Sequence, residues 1–161
     1  MKLERSKLDE ALEFLGWTSI FAIWVLIFAN YDDLPDTIPV HYNVLGKADR
    51  FGEKENIFAL PLIATVLFIG LTILNKFPHV FNYPVNITAD NALGQYTSAT
   101  RLIRCLKLLI VFIFGLMVFK TILADEGVET NGFGGLFLPL TLGLIFIPVI
   151  YYLIKLLKVR L

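Results

Sequence analysis

The sequence predicts an all-α integral membrane protein with four transmembrane helices, and three observations carry that prediction. Hydrophobic residues make up 57% of the 161 residues and charged ones 17%, against roughly 45–50% and about 25% in soluble domains. The apolar residues are gathered into four runs instead of being spread along the chain. The charges are sorted between the connections, with ten of the 14 Lys and Arg on one side and nine of the 14 acids on the other. The apolar excess excludes a disordered chain, and the zero net charge excludes a general attraction to nucleic acid. The single cysteine, Cys105, excludes an internal disulfide, a CxxC redox pair and a thiolate zinc cluster.

Residues 1–161 read as one four-helix transmembrane domain. Helix one, about 12–29, carries no charge from Gly16 to Ala29. Helix two, 57–74, has only Thr65 and Thr72 as polar members, and Pro61 falls in its first turns, where proline disrupts least. Helix three, 102–124, is preceded by residues that continue the helical pattern back to Ala89, with Thr88 as N-cap. Its full length then exceeds the bilayer, since a helix rises ~1.5 Å per residue and the hydrocarbon core is ~30 Å thick. Helix four, 136–157, contains Pro139 and Pro148, the second of which predicts a kink. A soluble bundle would need a polar stripe on each helix, and helices two and four have none.

The connections set orientation. Lys2, Arg5, Lys7, Lys76, Arg101, Arg104, Lys107, Lys155, Lys158 and Arg160 share one side, so the positive-inside rule places both termini in the cytoplasm. Arg101, Arg104, Lys107, Lys155 and Lys158 read as membrane anchors at the headgroup level. The other side holds Asp32, Asp33, Asp36, Asp49, Glu53, Glu55, Asp125, Glu126 and Glu129. Lys120, about one turn from that side, snorkels to the headgroups or pairs with an acid of the neighbouring loops. No ionisable residue is expected at the centre of a span, which counts against a proton-coupled transporter.

The outer loop, 30–56, is longer than the usual helix–helix connection and is expected to be structured. Ile38, Val40, Tyr42 and Val44 alternate with Thr37, Pro39, His41 and Asn43, the period of a short strand or extended segment. Pro39 confines it to a sheet edge or to an unpaired segment, and residues 47–52 read as a turn. His41, Asp36 and Asp49 are weak candidates for a metal site, since their spacing matches no established metal loop. The inner loop, 75–101, has Pro78 and Pro84 as breakers and Phe77, Phe81 and Tyr83 as interfacial aromatics. The Asn86–Thr88 glycosylation sequon lies on the predicted cytoplasmic side and is discounted. Cys105 reads as an inert thiol. No catalytic residues and no cofactor motif are identified: a zinc helix, a nucleophile elbow and paired cysteines are all absent.

The candidate functional loop residues are Pro35, Asp36, Ile38, Pro39, His41, Asn43, Gly46, Asp49 and Lys54, followed by Pro61, and all of them except Asp36 form, with Leu34, the pattern LP-x-x-IP-x-H-x-N, G-x-x-D, K and a later P. This pattern resembles a bacterial membrane-domain family of unknown function related to the N-terminal part of the SdpI immunity protein. The layout of helices one to three fits the resemblance, which implies a multi-pass protein of the bacterial cytoplasmic membrane and a non-enzymatic role of the immunity or signalling type. SdpI itself is longer and carries a second membrane domain, whereas this chain ends after four spans. The expected partners are the lipid bilayer and a toxin or a cytoplasmic regulator, with no nucleic acid. The alternatives are a small transporter or ion-binding membrane protein, and a membrane enzyme using His41 and the nearby acids.

Overall fold

The structure is a computed structural model that describes residues 3–45, 47–125 and 134–158. Four helices are long and apolar enough to cross a membrane. They are α1 (Lys7–Asn30), α2 (Ala59–Leu74), α3 (Ala92–Asp125) and α4 (Gly134–Lys158). Between α1 and α2 stands a hairpin of β1 (Thr37–Tyr42) and β2 (Ala48–Glu53).

The helix bounds follow from local chemistry. α1 starts at Lys7 and not near residue 12 because Ser6 and Asp9 close a capping box. The Asp9 amide donates to Ser6 Oγ at 3.3 Å and the Ser6 amide to Asp9 Oδ2 at 3.0 Å. α3 starts at Ala92, close to the predicted helical start at Ala89 and ahead of the span start at 102, behind a similar reciprocal pair. There the Thr88 amide donates to Asn91 Oδ1 and the Asn91 amide to Thr88 Oγ1. α4 runs through Pro139 and Pro148.

α3 is the central element, packed against α1, α2 and α4. The buried positions of α1 are Asp9, Gly16, Ile20, Ile23 and Ile27. They are spaced seven, four, three and four apart, the seam of a left-handed helix pair. Opposite lie Val111, Val118 and Ile122 of α3, and Ala64 and Phe68 of α2. Gly16 lets α1 meet α2 closely: a Cβ there would lie 2.4 Å from Phe68 Cε2. Most remaining apolar side chains of α1, α2 and α4 face outward, as lipid-facing surfaces require.

The hairpin corrects part of the loop reading. Residues 48–53 form a strand, not a turn, pairing antiparallel with β1 from Thr37↔Glu53 to Tyr42↔Ala48. Their mostly exposed ADRFGE sequence has no apolar alternation to signal a strand. Pro39 is accommodated because each strand of a two-stranded sheet has a free edge. Irregular register around Val40 breaks the predicted face: Ile38 is buried, whereas Val40 and Val44 are exposed.

Candidate functional site

The bundle has a polar assembly at each end. At the hairpin end, the motif residues mostly build the hairpin. The Asp36 carbonyl accepts the Lys54 amide at 3.0 Å, closing the base of the loop. Asn43 closes its tip: Oδ1 accepts the Leu45 and Lys47 amides, and its own amide donates to the Lys47 carbonyl. Ile38 plugs the hairpin into the core, and the exposed Pro35 leads into β1. The Pro61 carbonyl accepts Thr65 Oγ1, which accepts Trp24 Nε1 from α1 at 3.1 Å. Lys54 Nζ lies 5.1 Å over the Tyr31 ring, beside the Trp24, Phe28 and Phe58 aromatic group. Gly46 lies outside the described residues, as do Lys2, Glu126, Glu129 and Arg160.

His41 Nδ1 pairs with Asp49 Oδ1 across the hairpin, with side chains 52% and 42% exposed. Among the described residues no three His, Cys, Asp or Glu side chains converge as a metal-holding group, so Asp36 does not join His41 and Asp49 in one. The Tyr42 hydroxyl bonds Thr121 Oγ1 of α3 at 3.2 Å, and burial pushes its phenol above its ordinary pKa. Lys120 Nζ sits 4.1 Å over the Tyr42 ring. His41, Tyr42, Lys120, Met117 and Phe137 line a cavity of about 270 Å³. Exposed ion pairs contribute little, so His41→Ala is expected to change stability by less than about 1 kcal/mol in thermal unfolding. Tyr42→Phe removes a part-buried bond and is expected to cost about 1 kcal/mol, read as faster amide exchange across β1. Exchange no faster than wild type would separate the hairpin from α3.

The opposite end holds a cluster that the sequence reading did not assemble. Asp9 and Glu13, four residues apart on α1, face Arg101, Arg104 and Lys107 of α3. Arg101 grips Asp9 with two bonds, Nε to Oδ1 at 2.9 Å and Nη2 to Oδ2 at 3.0 Å, the strongest geometry for such a pair. Arg104 Nη1 lies 3.4 Å from Asp9 Oδ1, and its Nε 3.2 Å from Glu13 Oε1. Lys107 Nζ donates to Glu13 Oε2 at 2.6 Å and to Thr72 Oγ1 of α2 at 2.7 Å, and lies 4.3 Å from the Phe68 ring centroid. The Lys107 side chain is fully buried. The three bases read as membrane anchors therefore turn inward and tie α3 to α1 and α2. Lys107 falls near the middle of α3 but level with the end of α2, because α3 is the longest helix. A usable signal was present: two acids spaced i, i+4 at the edge of an apolar run need partners. On α4, Lys155 stands 5.9 Å from the Tyr152 ring and Lys158 is exposed.

Residues 18–65 match the domain of unknown function DUF1648. This segment takes in most of α1, the hairpin and the first part of α2, and stops short of the charged cluster. An uncharacterized protein of Archaeoglobus fulgidus is 32% identical over 83 residues, 47% of this chain. That match spans 45% of the archaeal protein, so the chain covers about half the length of the curated relative it matches. No solved structure matches the chain. The DUF1648 segment thus coincides with the portion whose motif side chains hold the hairpin together.

Proposed function

We propose that this chain is a non-enzymatic membrane protein of the SdpI-like immunity or signalling type in the bacterial cytoplasmic membrane. In this reading both termini are inside, the hairpin is an outer cap facing a toxin, and the inner end docks a cytoplasmic regulator. The observation that carries it is the length of α3. Its 34 residues span ~51 Å at ~1.5 Å each, against a ~30 Å hydrocarbon core. The Ala92–Thr100 portion therefore continues past the charged cluster and forms a surface with the 75–91 segment. That surface is preorganised. The Tyr83 and Tyr96 rings lie 5.6 Å apart, the Tyr83 hydroxyl donates to the Pro78 carbonyl at 2.8 Å, and burial raises the Tyr83 phenol well above its ordinary pKa.

The test has two arms. Reporter fusions after Asn43 and after Val85 are expected to report outside and inside; the reverse result rejects the orientation. Deleting the gene is expected to sensitise cells to secreted toxins of neighbouring strains, and unchanged sensitivity across a toxin panel rejects the immunity role. The buried Lys107–Glu13 pair favours a second reading, a small transporter or ion-binding protein, because ionisable groups within spans mark transport paths. Proteoliposome flux above background that is lost in Lys107→Met would replace the first reading with this one.

A further inference from the structure

The hairpin ends in an aliphatic tip. Val44 is 71% exposed and Leu45 63%, at positions where such turns ordinarily place glycine, proline or small polar residues. The tip is also held in shape. Asn43 Oδ1 accepts the Leu45 amide at 2.9 Å and the Lys47 amide at 3.1 Å, and the Asn43 amide donates to the Lys47 carbonyl at 2.9 Å. These bonds keep both aliphatic side chains at the surface. The tip carries no negative charge: no acid lies between Asp36 and Asp49, and Asp49 is engaged by His41. Lys47, just past the tip, is exposed.

Exposed aliphatic residues are common on protein surfaces, so the level of this pair decides what it meets. The Tyr42 hydroxyl bonds Thr121, about one turn inside the end of α3. Beyond Tyr42, Val44 lines a cavity whose other apolar walls are Val40, Met117 of α3, and Phe137 and Leu138 of α4. Met117 lies about two turns inside the end of α3 at Asp125, and Phe137 about one turn inside the start of α4 at Gly134. β1 therefore leads back along α3 toward the middle of the span. The tip stands beside the last turns of two membrane-spanning helices, not beyond them. Phe119, Leu136 and Leu138 of those turns are exposed, the surface that lipid covers. The aliphatic tip continues that surface, so the bilayer that covers those turns reaches Val44 with no second protein between. Lys120 Nζ, 4.1 Å over the Tyr42 ring, and Lys47 mark the headgroup level, where long cationic side chains keep their charge in water and their stems in lipid. We propose that the Val44–Leu45 tip inserts into the lipid surface beside α3 and α4. The hairpin is then held at both of its faces, by Tyr42 on α3 and by its tip in the bilayer.

The test is the depth of single fluorescent labels on the full chain in phosphatidylcholine–phosphatidylglycerol liposomes. In a Cys105→Ser background, Val44→Cys and Leu45→Cys each carry an environment-sensitive fluorophore. Asp33→Cys is the aqueous reference and Leu138→Cys the lipid reference. All four positions are exposed, so the labels leave the packed core and the Asn43 bonds in place, and thermal unfolding in detergent checks this. The two tip positions are read separately, so a variant that unfolds early leaves the other to decide. The tip labels are expected to be quenched by phospholipids with a nitroxide on an upper acyl carbon as strongly as the Leu138 label. Iodide, present on both sides, is expected to quench them at least about threefold less than the Asp33 label. Iodide quenching equal to that of the Asp33 label would place the tip in water and overturn the proposal. Shielding from both iodide and nitroxide lipid would overturn it too, and would assign the tip to a protein contact within the chain or with a second copy. Neither readout depends on which side of the membrane the hairpin faces, so the proposal stands or falls separately from the orientation of the chain.

Discussion

Gly16→Leu is expected to abolish the stable fold, and Gly16→Ala to lower stability by about 2–3 kcal/mol. A Cβ at Gly16 would lie 2.4 Å from Phe68 Cε2 and 2.6 Å from Cζ. The ring cannot retreat. Phe68 is 1% exposed, it meets Trp17 edge-on with centroids 4.9 Å apart, and Lys107 Nζ sits 4.3 Å from its centroid. Any added group therefore drives α1 from α2 and disturbs the Lys107 site as well. Other glycines supply a graded comparison. A Cβ at Gly115 would meet Ile23 Cγ1 at 3.1 Å, a contact that a flexible isoleucine partly relieves, and at Gly70 nothing lies within 4 Å. Thermal unfolding in detergent is expected to rank the alanine variants Gly16 lowest, Gly115 next, and Gly70 equal to or above wild type, since alanine favours helix by up to about 1 kcal/mol. Equal losses at Gly16 and Gly70 would show that the helices do not approach closely at Gly16.

The second large effect concerns Glu13. Glu13→Gln removes the carboxylate 2.6 Å from Lys107 Nζ, while Lys107 stays buried against Thr72 and Phe68. Leaving a buried charge without its partner typically costs about 3–5 kcal/mol. Lys107→Met is expected to cost less, because Glu13 keeps Arg104 Nε at 3.2 Å and an apolar side chain suits the space beside Phe68. The double variant Glu13→Gln/Lys107→Met is then expected to be more stable than Glu13→Gln alone. A double-mutant cycle by thermal unfolding reads the coupling. Additive effects, each below about 1 kcal/mol, would mean that the pair behaves as an exposed one.

These two sites differ in how legible they were. The motif residues from Pro35 to Lys54 drew attention through their pattern, yet Asp36, Ile38, Asn43 and Lys54 act mainly in folding the hairpin. Asn43 closes the tip, its side-chain carbonyl accepting two backbone amides. β2 was missed because an exposed strand carries no apolar alternation. The charged cluster was missed for another reason. Positive-inside counting treats each Lys and Arg as independent, and it assigned Arg101, Arg104 and Lys107 to lipid before Asp9 and Glu13 were known to face them.

The amino-acid pattern determined the four apolar helices, because burying a backbone in lipid demands helices of a certain length and little else. It was silent on which face of each helix turns inward, because a lipid-facing side chain and a core side chain have the same chemistry. Gly16 against Phe68, the Ile20, Ile23 and Ile27 seam, and the meeting of Asp9 and Glu13 with three bases exist only once α1, α2 and α3 are packed. Hydropathy measures the transfer of one segment from water; the partners a polar side chain finds afterwards are set by helix rotation and register, which tertiary packing alone decides.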